Sequence, residues 1–340
     1  MSELNTNSQV SEVADPKLRK VLARVAQEME LTIEKVAANH ARPKEFPLPA
    51  DPNSTEHILA ARFNALPQEL KAKAGATALG RISAPAAARK QKFGDLAAVN
   101  LKTGVAVGEQ VRAMPVPAAL KLTGADLAKI TGTKSAVVEA AGANVALAGA
   151  TGVGSVLTGG IVTALPKLTK LELRIQRVKC VDETGSGPFG DIGNDEIDLG
   201  GVGVDETGDT HAIAKFRVGS NFDSGEQVDF TPPRSFTIFD LTEGTAFPKK
   251  YIVTLILSEA DNGGLSTFIN NLVQKVKDKV RKAIIDALGG AIGTSGGPIG
   301  VIIGLAVASI VNRVFDLLGR IWGDDIFPPV SAEVSIPSLT

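Results

Sequence analysis

The 340-residue chain is poor in the residues that anchor most catalytic sites, with one cysteine, one tryptophan, one tyrosine and three histidines. A lone Cys180 excludes an intramolecular disulfide and any zinc site built on paired thiols, and its expected place is a small apolar position near the end of a strand. With 36 basic against 37 acidic residues the net charge is -1. That balance removes the global electrostatic basis for nucleic-acid binding and confines any attraction to anionic surfaces to local patches. Met1 to Asp15 holds no apolar run, so no secretory signal is expected; the cytoplasm is the default, with non-classical export left open.

Two longer absences say more. No ionisable side chain occurs from Ala140 to Pro166 or from Ala287 to Asn312, and both runs are studded with glycine. In a chain with 21% charged residues, such runs must be packed in protein, held by a partner or placed in lipid. Aromatic residues are also missing between Phe93 and Phe189. Without large rings to bury, an independent compact domain is not expected there.

What is present gives an α+β architecture in four parts. A polar tail, 1–14, precedes a helical region, 15–82. Asp15-Pro16 reads as a cap followed by a first helical residue. Leu18, Val21, Leu22, Val25, Met29, Ile33, Val36 and Ala37 then recur at helical spacing. Two shorter helices are expected from about Thr55 and from Pro67. Residues 83–166 read as an Ala/Gly-rich arm or linker, with short strands or turns over Val105–Val111 and Leu120–Ala128.

From 167 to 340 the pattern is an antiparallel β-sandwich. Leu171, Leu173 and Ile175 alternate with charged residues, and a parity slip predicts a bulge near Arg177. Further strands read at Glu196–Leu199, at Ala212–Val218 with Ala212, Ala214, Phe216 and Val218 inward, at Ser235–Leu241, and at Tyr251–Leu257 as a central strand. The period then changes from two to 3.6. Phe268, Leu272, Val276, Val280, Ile284 and Leu288 step by four, a glycine-rich turn follows, and a second helix carries Gly300 and Gly304 in small-xxx-small spacing. Because Val330, Ala332, Val334 and Ile336 alternate again, this helical hairpin, about 265–322, is expected to be inserted between two strands of one sandwich.

Catalytic motifs fail on context. Gly293-Thr294-Ser295-Gly296-Gly297 has the letters of a nucleophile elbow but follows a helix, where a strand is required. Gly132-Thr133-Lys134-Ser135 lacks the spacing of a phosphate loop, and Gly152 and Gly154 lack the third glycine of a dinucleotide site. Acidic loops carry more chemistry. Asp182, Asp191, Asp195 and Asp198 offer hard oxygen ligands of the kind calcium takes, beside the bland reading of solvated Asp/Gly turns; no other cofactor is indicated. The basic face of the first hairpin helix, with Lys275, Lys277, Lys279, Arg281 and Lys282, reads as a membrane or partner surface together with Gly300 and Gly304.

These features favour a non-enzymatic structural or interaction protein, a component or cargo of a larger assembly, with a protein partner or self-association. The alternative is a membrane-active, pore-forming-like effector that uses the glycine-rich hairpin. Neither nucleic acid nor a small-molecule substrate is indicated.

Overall fold

A computed structural model describes residues 15–123, 126, 168–180, 196–220, 222, 225–244, 249–259, 265–289, 298–322, 329–336 and 338–339. The architecture is α+β, with N-terminal helices followed by two antiparallel sheets and a helical hairpin. Helix α1 (Pro16–Ala41) starts where its cap predicts: the Asp15 carboxylate accepts hydrogen bonds at 2.8 Å from the amides of Lys17 and Leu18. All eight apolar positions read from its periodicity are buried. From Leu31 to Ala38 it is buried on every side, Glu34 and Lys35 included, and both charged groups face neighbours inside. The Lys35 ammonium donates to the carbonyls of Thr103 and Val105 at 2.8 and 2.9 Å. Glu34 faces Lys92, Arg89 and Arg81 at 3.7, 3.8 and 4.0 Å.

Around α1 lie α2 (Thr55–Ala65), α3 (Gln68–Ile82), α4 (Ala86–Phe93) and α5 (Val107–Ala113), with single 3-10 turns at Gly94–Ala98 and Ala118–Leu120. Gly75 lets α3 approach α1 closely, since a side chain there would press on Ala41 Cβ at 3.1 Å. The arm expectation needs correction over its described part. Residues 83–123 are mostly helical, and Phe93, Leu96, Val99, Leu101 and Val107 are buried in the main core. Val107–Ala113 is a helix where short strands or turns were expected, because the apolar Val107 and half-buried Val111 sit four apart and load one helical face.

The sheets comprise β1 (Lys170–Lys179), β2 (Ile197–Val204), β3 (Thr210–Gly219), β4 (Gln227–Asp240), β5 (Lys249–Glu259) and β6 (Val330–Ile336). β1 pairs with β4; the other four run β3-β2-β5-β6, so β5 is interior. Register shifts in β1 fall between Leu173 and Arg174 and between Ile175 and Arg177. In β3 the inward set differs from the simple alternation. A register shift opposite Leu199/Gly201 flips the parity, so Ile213 is buried with Phe216 and Val218 while Ala214 is exposed.

The two sheets enclose a core of Ile197, Leu199, Phe236, Phe239, Tyr251 and their neighbours. The opposite face of the four-stranded sheet presents Val202, Val204, Ile252 and Ile256 to the helices. Strand β2 is therefore buried at all eight positions.

The hairpin consists of α6 (Leu265–Ala287) and α7 (Pro298–Trp322), inserted between β5 and β6, which pair directly with each other. α6 rests on β3 and β2, and α7 on β5 and β2. On their other side α1 packs against both, α2 against α6 and α3 against α7. Phe63 of α2 meets Trp322 edge to face at 4.8 Å. The hairpin is thus the layer through which the N-terminal helices reach the sheets.

Candidate functional site

A cleft of about 320 Å³ runs along α6, between that helix and a wall formed by α1, the start of α2, α5 and the segment 114–120. Its lining mixes apolar side chains, Val21, Val25, Met114 and Ala283 among them, with a larger number of polar and charged ones. Charges of both signs stand around it. Lys275, Asp278, Glu109 and Arg112 border the opening and form no ion pair with another described residue.

The basic residues singled out on α6 are divided by the fold. Lys275, Lys279 and Lys282 line the cleft. The Lys279 ammonium donates to the Glu28 carboxylate of α1, a half-buried to buried pair roofed by Gly108 of α5. Lys277 reaches Asp209 of the β2–β3 turn at 3.1 Å, and Lys282 sits 3.5 Å from Asp286 one turn on. Arg281 is half-buried. Gly300 lies in the first turn of α7. Gly304 faces β2, where any side chain would collide with Val204 Cγ1; its bareness seats the helix on the sheet.

Ser54 and His57 form a hydroxyl–imidazole pair at 3.0 Å beside the cleft. Ser54 caps α2, its oxygen also accepting the His57 amide at 3.3 Å. The pair therefore organises a helix start. Two residues on, Glu56 is buried and accepts the Val107 amide at 2.7 Å, which fixes the first turn of α5 against α2.

Of the acidic calcium candidates, Asp182, Asp191 and Asp195 lie outside the described residues. Asp198 is buried in β2 with both oxygens engaged, one by Lys215 and the other by Arg217 at 2.8 Å. Burial raises its carboxyl, but the hydrogen bonds from Lys215 and Arg217 outweigh this and hold it below the usual carboxylate range. Among the described residues no group of three or more His, Cys, Asp or Glu is arranged to hold a metal ion.

A neighbouring acidic loop contains an internal cation. The buried Lys249 ammonium donates to Glu206 Oε1 at 3.2 Å and to the carbonyls of Leu241 at 2.6 Å, Glu243, and Gly244 at 3.1 Å. Carboxylate and carbonyl oxygens gathered in this way resemble a hard-cation cage, with an ammonium at its centre. Around it, the charges of Asp205 first, then burial and Asp240, Glu206 and Asp209, push the Glu243 carboxyl up.

Sequence reading found the α6 lysines but missed the opposite wall. Glu28 is separated from Lys279 by 251 positions, and no local pattern links the two. The chain matches no protein-family model, no curated protein and no solved structure.

Proposed function

We propose that this is a non-enzymatic interaction protein, a component or cargo of a larger assembly, and that it meets its partner at the cleft along α6. The observation that carries this reading is the rim of the cleft. Lys275, Asp278, Glu109 and Arg112 stand without an ion-pair partner among the described residues, around a cleft whose lining includes Val21, Val25, Met114 and Ala283. Charges left unpaired around an apolar patch give a partner both orientation and rejection of mismatched charge. The test is mass in solution for the wild type and for a Lys275→Glu/Arg112→Glu variant. The expected result is a species heavier than the 35.3 kDa chain that the variant loses. A monomer at every concentration, with no co-purifying partner, sinks the reading.

A membrane-active role is the second reading, favoured by α7. Its segment Ile302–Trp322 is long and apolar enough to cross a bilayer, although most of it is buried in the fold. Dye release from anionic vesicles, compared with Lys275, Lys277 and Lys279 replaced by Gln, tests it. Absence of leakage under every trigger leaves this reading without support.

A further inference from the structure

We propose that the N-terminal helices are an autoinhibitory cover on the hairpin, and that loosening this cover lets α6 and α7 engage an anionic lipid surface. The inference rests on the membrane-active reading and adds its regulation. Three observations carry it.

The first is topological. The strands that flank the hairpin are hydrogen-bonded to each other from Lys249↔Ile336 to Leu255↔Val330. Displacing the hairpin therefore breaks none of the sheet's own ladder. Both of its stems leave from neighbouring strands, so it hangs from the sheet as a unit.

The second is the position of the cover. One side of the hairpin lies on the sheet and the other is covered by α1, α2 and α3. Ala306, Val307, Ile310, Val311, Val314 and Leu318 are all fully buried. Without the cover, α7 would present an apolar surface that water disfavours and hydrocarbon accepts. The adjoining helix α6 would add lysines suited to anionic headgroups.

The third is the uneven seam between cover and hairpin. Along α7 the side chains packed in the core are apolar. Along α6 the seam contains the 320 Å³ cleft, and polar ties border that cleft, among them the Glu28–Lys279 pair and the Leu122 amide donating to the Ala287 carbonyl at 2.6 Å. By contrast, Glu30 and Glu34 of α1 face Arg81, Arg89 and Lys92 of α3 and α4, so the helices of the cover are tied chiefly to one another. The cleft leaves the packing of cover on hairpin interrupted on the α6 side.

The experiment compares the wild-type chain with Glu28→Lys, which sets two ammonium groups against each other at the seam. A second form carries a protease site introduced between Asp126 and Leu168 and is cut before use. Amide exchange in α1 and α6 reports whether the seam has loosened. Dye release is read from vesicles of anionic and of neutral lipid. The expected result is at least tenfold faster release from anionic vesicles for whichever altered form shows faster exchange, with the wild type inert.

Wild-type release as fast as that of the altered forms overturns the cover while leaving a membrane role standing. A loosened seam with no vesicle engagement overturns the membrane role itself. If Glu28→Lys does not fold, the cut chain decides the matter alone, and a cut chain that exchanges as slowly as wild type overturns the cover as a releasable element.

Discussion

The two helices of the hairpin are buried by different means. α7 is carried almost entirely by apolar contact, with fully covered Val, Ile, Leu and Ala side chains on both its sheet side and its helix side. α6 buries Leu272, Val273, Val276 and Val280 equally well, but its remaining face meets neighbours through Lys277–Asp209, Lys279–Glu28 and a cleft. An apolar seam is strong and sets no preference among apolar partners. A charged seam is weaker but selective, because each unpaired group penalises the wrong neighbour. Stability is therefore expected to reside along α7, and recognition or control along α6.

That contrast can be broken by substitution. The largest effect is expected from Val314→Asp in α7, which places an unpaired carboxylate in a site with no exposure. A loss of about 4 kcal/mol or more is expected, read as a collapse of the unfolding transition; a mild loss would mean that apolar burial along α7 does not carry the fold. Glu28→Gln leaves the Lys279 ammonium without its carboxylate and is expected to cost about 3 kcal/mol at most, since both groups keep some exposure. Adding Lys279→Met should recover much of it, and a double variant as unstable as the sum of the singles would deny the coupling.

Gly304→Ala forces a methyl against Val204 and should cost about 1–3 kcal/mol. Val204→Ala in the same chain should restore part of that, measured by urea denaturation. Lys282→Gln, on the exposed side of α6, should stay within about 0.5 kcal/mol of wild type.

A pH series sharpens the picture for the cover. Burial raises the Glu34 carboxyl above its ordinary value of 4.5, with Glu30 pushing the same way and Lys92, Arg89 and Arg81 opposing. The folded chain thus takes up this proton before the unfolded chain does. Holding Glu34 charged costs stability near neutrality, and the cost disappears as pH falls through the raised value. Wild type should gain in Tm relative to Glu34→Gln as pH drops from neutrality towards 4.5; a difference that stays flat would contradict it.

Much of the fold was legible because it is locally encoded. The Asp15-Pro16 cap, the four-residue steps from Phe268 to Leu288, and the return to alternation at Val330 each lie within one element, and the described hairpin helices match the expected span. Strand β2 was read only as far as Leu199, because Gly200, Gly201 and Gly203 look like breakers. Their bareness is required by neighbours the sequence does not reveal: Thr254 O beside Gly201 and the His211 ring beside Gly203. The helical character of 83–123 was missed for a related reason. Its anchors Phe93, Leu96 and Val107 are widely spaced and bury themselves against α1 and its surroundings, so no periodic run announces them. At the cleft, one wall was visible as a lysine-bearing helix face. The other is assembled from α1, α2 and α5, and only the tertiary fold brings them together.

The insertion between β5 and β6 also sets an order of events during folding. Those two strands are neighbours in space but have the entire helical excursion between them in the chain. Closing so long a loop from a disordered coil is entropically expensive, whereas a preformed pair of helices brings its two ends together beforehand. Until that happens, the outer row of amides and carbonyls on β5 is unpaired and open to strangers. Pairing of α6 with α7 is therefore expected to shorten the time for which that edge stays uncovered.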